Sequence, residues 1–162
     1  MKRRSVRKYA NRPVSADKVE SLLRSAMQAP SARNLQPWEF LIIRNRDALK
    51  RIPDYHPYSS MVPDAGLALL VFGNKDLQEN PGYIVQDCSA AVQNLLLEVV
   101  NQELGAVWLG VYPREERMEA MTELFSLPDN IIPVALISIG YPAEIPGKQD
   151  RYVQEKVHYD RW

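Results

Sequence analysis

The longest helical segment predicted in this chain is apolar on nearly all of its sides, and this limits how the chain can fold. Between Tyr83 and Glu103, six apolar residues recur at helical spacing on one face: Val85, Cys88, Val92, Leu95, Leu96 and Val99. Ala91, Leu97 and Val100 extend that stripe around the helix. A helix that is apolar on nearly all sides is buried on nearly all sides. In a chain of 162 residues, we expect a subunit interface to cover part of it.

The remaining apolar segments predict both strands and further helices, and the length favours one compact domain. Strands are predicted at Trp38–Ile43, Gly66–Gly73, Ala106–Leu109 and Ile132–Ile139. Helices are predicted from Ser15 to about Ala29, from Asp47 to Ile52, and from Pro113 to near Phe125. The Gly66–Gly73 segment is apolar throughout, which is typical of a central strand. Gly105 is expected to end the long helix.

A basic cluster stands at the start of the chain, in the sequence Arg3-Arg4-Ser5-Val6-Arg7. In an extended strand Arg3, Ser5 and Arg7 share one side, because side chains alternate with period two. Guanidinium groups match the oxygens of a phosphate or carboxylate. The alternative is a solvated basic N-terminus. The chain has 20 basic and 20 acidic residues, so a small anion suits the cluster better than a nucleic acid does.

Composition excludes several other kinds of site. Cys88 is the only cysteine, so neither an intrachain disulfide nor a thiolate metal cluster is possible, and we expect Cys88 to pack in the core. His56 and His158 lack metal-ligand spacing. No apolar run reaches the roughly 18 residues of a membrane span, and the start does not read as a signal peptide. We therefore expect a cytoplasmic protein without a bound metal or a membrane contact.

Three further segments, taken with the basic cluster, resemble the FMN-dependent nitroreductase superfamily. They are residues 29–38 (APSARNLQPW), 105–113 (GAVWLGVYP) and 148–159 (KQDRYVQEKVHY). The motifs of that family read R-R-S-x-R, P-S-x-x-N-x-Q-P-W, W-x-G and a late phosphate-binding arginine. They occur here in the same order, and the resemblance covers essentially the whole chain.

The resemblance implies an α+β fold with a central mixed β-sheet flanked by helices. It also implies an intertwined homodimer with two FMN sites at the interface. Residues 141–162 would then be a C-terminal extension that wraps the partner subunit. This agrees with the tail itself, which is aperiodic yet carries Tyr152, Tyr159 and Trp162. A disordered tail is the alternative.

By resemblance, Arg3, Arg4, Ser5 and Arg7 form the FMN cradle. Arg3 and Ser5 would face the phosphate and the ribityl chain. Arg7 would lie toward the pyrimidine end of the flavin, where a cation favours negative charge on the reduced ring.

Two other motifs imply contacts with the flavin ring. Pro30 and Ser31 resemble a loop that lies near the isoalloxazine from the partner subunit. Asn34 matches a position that either contacts the cofactor or holds the loop. Leu109 and Gly110 resemble the segment whose backbone passes the reactive edge, where an N–H can bond N5 and glycine permits a close approach.

The last motif implies a second source of phosphate ligands in the tail. Arg151 resembles the late phosphate ligand, and Lys148 would assist it.

Relatives usually carry a helix before the first motif, whereas this chain begins almost at the motif. The chain is also short for the family, so the loop Tyr55–Val62 would roof the site or leave it open.

The implied activity is a ping-pong transfer of two electrons. NADH or NADPH gives a hydride to FMN, and a small acceptor such as a nitroaromatic, a quinone or a free flavin then takes its place. Flavin supplies the chemistry, so no side chain is required as a catalytic acid or nucleophile. The alternatives are a narrower flavin reductase or dehalogenase, and a flavin-binding protein that NAD(P)H does not reduce.

Overall fold

A four-stranded sheet forms the centre of the protein. The computed structural model describes residues 3–144, 146–147 and 149–162 of the chain. The strands are β1 (Trp38–Ile43), β2 (Leu67–Asn74), β3 (Gly105–Gly110) and β4 (Ile131–Gly140). The helices are α1 (Ala16–Ala26), α2 (Arg46–Tyr55), α3 (Pro81–Asn101) and α4 (Glu115–Phe125). The strand order is β1-β2-β4-β3, which places β2 in the interior of the sheet as its apolar sequence predicts.

The α+β prediction is confirmed, and the sheet is antiparallel in all three of its strand pairings. The prediction of a mixed sheet is therefore wrong for these four strands. Outside them, the described residues include one parallel bridge, in which Ser5 pairs with Ala106 of β3. The N-terminal segment thus lies along the outer edge of β3.

Alternation along β2 divides the interior into two cores, one on each face of the sheet. Leu67, Leu69 and Val71 pack with residues of α1 and α3. Ala68, Leu70 and Phe72 pack with residues of α2 and α4. Successive side chains of a strand point to opposite faces, so a strand apolar at every position needs helices on both sides. Full burial of one such leucine side chain contributes about 1.5–3 kcal/mol to the stability of the folded protein.

Several predicted boundaries are wrong in detail. The first helix ends at Ala26 rather than near Ala29. The second continues through Pro53 to Tyr55, beyond the predicted end at Ile52, and Ile52 accepts a hydrogen bond from His56 N–H. After Ala26 the chain continues in tighter turns, in which Gln28 N–H and Ala29 N–H donate to the carbonyls of Ser25 and Ala26, three residues earlier.

The prediction that Gly105 ends the long helix is also wrong. Helix α3 ends at Asn101, and the chain turns through Glu103, whose φ is 59°. Gly105 is the first residue of β3, and a Cβ atom there would lie 2.8 Å from the Val6 side chain. The glycine therefore lets the N-terminal segment lie against the sheet.

Helix α3 is buried along one face only. The buried positions include Cys88, as predicted, together with Ile84, Ala91, Val92, Leu95, Leu96 and Val99. On the rest of the helix, Tyr83 is 48% exposed and Leu97 is 37% exposed. Ala90 and Val100 are half-buried. The chain itself therefore leaves part of the apolar surface of this helix uncovered.

We predict that Gly73→Ala destabilises the protein, because a Cβ atom on this residue of β2 would lie 1.9 Å from Cγ2 of Ile84 in α3. Overpacking of this kind lowers the free energy of unfolding by about 1–3 kcal/mol. Chemical denaturation measures the difference. Gly147→Ala is the matched control, because a Cβ atom there meets nothing within 4 Å. Equal stability of the two variants would contradict the packing of α3 on β2.

Candidate functional site

The N-terminal segment is held against β3 by its backbone. Val6 N–H donates to Ala106 O at 2.9 Å, and the Val6 side chain is buried. Ser5 and Arg7, on either side of Val6, are exposed, and Arg3 is half-buried. The alternation predicted for this segment is therefore present, with the valine directed inward and its neighbours outward.

Tyr9 anchors the end of this segment. Its hydroxyl lies 2.9 Å from Val6 O and 3.1 Å from Ser138 O of β4. Burial raises the pKa of Tyr9 to about 12, so the phenol stays protonated and can donate to these carbonyls. The anchor fixes the segment from which the arginines project.

Arg4 has a different environment from the other arginines of the cluster. With Arg3, it lines a cavity of about 260 Å³ whose remaining walls are largely apolar and include Leu96, Val99 and Leu104. Its Nε and Nη1 atoms are buried and have no hydrogen-bond partner among the described residues. A buried charge without a partner is costly, so this guanidinium fits a site that receives an anion.

The end of β3 lies beside a second cavity, of about 440 Å³. Arg7, Trp108, Leu109 and Gly110 line it, so the structure brings Arg7 of the N-terminal cluster together with the Leu109–Gly110 segment. A Cβ atom on Gly110 would meet nothing within 4 Å. No protein contact requires a glycine at this position, which leaves open space beside the backbone.

Two side chains hold the carbonyl of Gly110. His56 Nε2 lies 3.0 Å from Gly110 O, and Arg117 Nη1 donates to the same oxygen at 2.8 Å. From the sequence, His56 is predicted only as part of the loop Tyr55–Val62 that would roof the site, and Arg117 belongs to no motif. Their convergence on one carbonyl depends on how the loop after α2 and the start of α4 pack together.

His56 is held in its neutral form. Only 1% of the residue is exposed, and burial lowers its pKa, with the charge of Arg117 acting in the same direction. Its Nδ1 atom accepts from Tyr58 N–H at 3.3 Å. One ring nitrogen therefore accepts and the other donates, which matches a neutral imidazole protonated at Nε2.

The loop of the second motif lies at the other end of α3. Ala32 N–H donates to Asp87 Oδ1 at 3.1 Å, whereas the Arg4 cavity touches α3 from Leu96 to Val100. The nine to thirteen residues of helix between the two sites correspond to about 14–20 Å at 1.5 Å per residue. Within one chain, the structure does not bring Pro30 and Ser31 to the arginine cluster.

This loop has an unusual backbone. Arg33, Asn34 and Gln36 have φ values of 55°, 57° and 50°, in the left-handed region that costs energy for residues with side chains. Gln36 N–H donates to Ser31 Oγ at 3.0 Å, and Asn34 N–H donates to Ser31 O at 3.0 Å. Pro30 and Asn34 are exposed. The loop is thus fixed internally while its surface is open.

The tail holds Arg151 at the surface. Arg151 is exposed and donates to Gln149 Oε1 at 3.4 Å. Residues 149–162 are exposed throughout, and Tyr152, Tyr159 and Trp162 are 67%, 75% and 101% exposed. Lys148, the predicted helper of Arg151, lies outside the described residues.

Comparison with known proteins places these features in a family. A sequence model of the Nitroreductase family matches residues 1–57 and 53–141. The chain belongs to the nitroreductase family. The resemblance inferred from the four motifs is thereby confirmed.

Relatives of this nitroreductase-family chain match it over almost its full length. A protein of Methanothermobacter thermautotrophicus with the provisional name NADH dehydrogenase/NAD(P)H nitroreductase is 46% identical over 160 residues, which cover 99% of this chain and 84% of that protein. The crystal structure of a protein of Parabacteroides distasonis with the same provisional name is 39% identical, with a TM-score of 0.95. The match covers 99% of this chain and 95% of the Parabacteroides chain.

A third relative was solved with a cofactor. It is a provisionally named nitroreductase of Desulfovibrio desulfuricans in complex with FMN, 32% identical, with a TM-score of 0.85. The match covers 99% of this chain and 94% of that one.

Two further kinds of site are absent from the described part of the chain. Within residues 3–144, 146–147 and 149–162, no group of three or more His, Cys, Asp or Glu side chains could hold a metal ion. Over the same part of the chain, no helix has the length and apolar character needed to cross a membrane.

We predict that Cys88 is inert to thiol reagents in the folded protein. Its thiol is buried and lies 3.4 Å from Phe72 O, and burial raises its pKa to about 12. The reactive thiolate is therefore scarce near neutral pH. Labelling with a disulfide reagent at pH 8 should modify the denatured protein but not the native one. Rapid labelling of native protein would contradict the burial of Cys88.

Proposed function

We propose that this protein is a cytoplasmic FMN-dependent oxidoreductase. It takes a hydride from NADH or NADPH and passes two electrons, by a ping-pong sequence, to a nitroaromatic, a quinone or a related small acceptor. The observation that carries the proposal is the pairing of two features at one edge of the sheet. These are an arginine cluster in which Nε and Nη1 of Arg4 are buried without a hydrogen-bond partner among the described residues, and an open cavity lined by Arg7 and Gly110.

The relatives support the proposal from a separate direction. One carries a name that refers to NADH dehydrogenase and NAD(P)H nitroreductase activity, and another was crystallised with FMN. Both match nearly the whole of this chain. Their names supply the donor and the cofactor, while the acceptor is inferred from the family resemblance.

In this proposal, Arg3, Arg4 and Ser5 bind the phosphate and ribityl end of FMN. The buried Nε and Nη1 atoms of Arg4 fit a phosphate, because its oxygens would satisfy donors that lack a partner. Arg151 would add a guanidinium from the tail. FMN suits this arrangement better than FAD, because a terminal phosphate bound by arginines leaves no place for an adenylate.

Arg7 and the Leu109–Gly110 segment would hold the ring end. When bound, FMN supplies the redox chemistry by accepting a hydride equivalent and releasing two electrons to an acceptor. Gly110 O faces the outer edge of β3, where His56 and Arg117 bind it. In a β-strand the N–H and C=O of one residue point to the same side of the strand. Gly110 N–H is therefore expected to face the outer edge as well. Arg7 contributes positive charge to the same cavity.

The homodimer in this proposal has three sources of support. Helix α3 leaves Tyr83, Leu97 and Val100 partly uncovered. The loop Pro30–Asn34 lies about 14–20 Å along α3 from the Arg4 cavity, and in this proposal the partner subunit presents it to the flavin. The tail exposes aromatic side chains that a second subunit would cover. We infer that residues 141–162 of each subunit wrap the other.

The test of this function begins with FMN binding. We expect the purified protein to bind about one FMN per subunit and to be bleached by NADH or NADPH. Arg4→Met should weaken FMN binding by about 10- to 150-fold, which corresponds to the roughly 1.5–3 kcal/mol of a hydrogen bond to a charged group. Removal of its unpaired charge should leave the FMN-free protein equally stable or more stable.

Arg24→Met is the matched control, because Arg24 lies on α1 in an exposed ion pair with Glu20. Fluorescence titration with FMN and chemical denaturation of the FMN-free protein give the two readings. Protein that stays colourless after FMN is added would refute the proposed function. Bound flavin that neither nucleotide reduces would favour a flavin-binding protein without turnover.

A further inference from the structure

The cavity beside Gly110 carries positive charge that the described residues do not balance. Two arginines line it, Arg7 from the N-terminal segment and Arg117 from α4, and within the described part of the chain its lining residues include no aspartate or glutamate. The ion pairs found among the described residues involve neither arginine. The cavity therefore favours a ligand that brings a negative charge.

Arg117 is held in place by the backbone and retains donors for a ligand. The residue is half-buried, and its Nη1 donates to Gly110 O at 2.8 Å. A guanidinium has five N–H donors, so this one bond leaves most of them for an anion. Because the carbonyl contact already restrains the side chain, less conformational freedom is lost when an anion binds. The charge also acts inside the cavity, since burial lowers the pKa of His56 and Arg117 lowers it further.

Aromatic side chains stand beside Arg117 in the lining of the same cavity. The centroid of the Tyr58 ring is 5.3 Å from Cζ of Arg117, and Tyr58 is 67% exposed. Trp108 of β3 is half-buried and lines the cavity as well. Aromatic rings pack favourably against other rings, and a guanidinium matches the two oxygens of a carboxylate. The cavity thus combines a surface for a flat ring with donors for an oxyanion.

We propose that the electron acceptor of this protein is an aromatic compound with a carboxylate group, and that Arg117 selects it by binding that carboxylate. This inference rests on the proposed function, in which Arg7 and the Leu109–Gly110 segment hold the flavin ring and leave Arg117 to the acceptor. Arg117 is then a specificity-determining residue. For a nitro acceptor, NADH and one proton reduce the nitro group to nitroso, with NAD⁺ and water as the other products, and the carboxylate is unchanged.

Two ligands that cannot be reduced test the selection by binding alone. Benzoate and benzamide share a ring and nearly the same shape, and they differ in charge. We expect benzoate to bind the oxidised, FMN-loaded protein about tenfold more tightly than benzamide. This is the lower end of the gain from a hydrogen bond to a charged group, because Arg117 is only half-buried. Isothermal titration calorimetry measures both affinities, and equal affinities would overturn the proposal.

Variants of Arg117 separate its charge from its contact with Gly110. Arg117→Gln can still donate to Gly110 O but has no charge, and it should bind benzoate no better than benzamide, with FMN and benzamide affinities unchanged. Arg117→Lys retains the charge and should keep part of the preference. Arg114→Met is the matched control, because it removes the same charge from the exposed residue before α4, which is not among the residues lining the cavity. A full benzoate preference in Arg117→Gln would overturn the role of Arg117.

Turnover of the corresponding nitro compounds extends the test to the reaction. The kcat/KM for 4-nitrobenzoate, divided by that for 4-nitrobenzamide, should fall about tenfold from the wild type to Arg117→Gln, mainly through KM. The two acceptors differ in how easily they are reduced, but this difference is the same for both proteins and cancels in the comparison. An unchanged ratio would contradict the selection of a carboxylate by Arg117.

The failures of the two proposals are distinguishable. A protein that binds FMN and is reduced by NADH, but does not distinguish benzoate from benzamide, would refute the acceptor class alone. A protein that binds no FMN would refute the proposed function, and the acceptor class with it.

Discussion

The backbone pairing of the N-terminal segment with β3 is the interaction on which the rest of the site depends. The hydrogen bond from Val6 N–H to Ala106 O sets the register, and Gly105 leaves the space that the Val6 side chain fills. Because side chains alternate, burial of Val6 directs Ser5 and Arg7 outward. The same pairing covers an edge that would otherwise expose unpaired backbone groups. Structure and site are therefore specified by the same few residues.

Helix α3 connects this edge to the second half of the site. One face completes the core beneath the sheet, and its two ends carry different parts of the candidate site. Arg4 lies near Val100, while Asp87 holds the loop through Ala32 N–H. A helix this long separates the two parts within one chain, and in our proposal a second subunit reunites them. The left-handed residues Arg33 and Asn34 fit that account, because strain of this kind is concentrated at sites where a loop must keep one shape.

Much of the fold follows from local sequence. The segments of β1 and β2 are apolar runs between turn residues, and their predicted bounds differ from the structure by one residue at most. Helix ends follow less closely from local sequence: α2 continues past Ile52 and through Pro53, and α3 ends at Asn101, before Glu103. Within the site, the arginine cluster and Gly110 belong to sequence motifs that the family resemblance identifies. His56 and Arg117 belong to no such motif, because their shared contact with Gly110 O forms only when distant elements pack together.

The central claim is that one flavin site takes its arginine cluster from one subunit and its loop from the other. Two variants, each unable to bind FMN, test it when mixed: Arg3→Ala with Arg4→Ala in one, and Pro30→Trp with Ser31→Trp in the other. If the halves come from different subunits, a mixed dimer has one site with both defects and one intact site. Our account predicts that the isolated mixed dimer binds one FMN. No bound FMN in the mixed dimer would contradict it, because each subunit would then supply both halves of its own site.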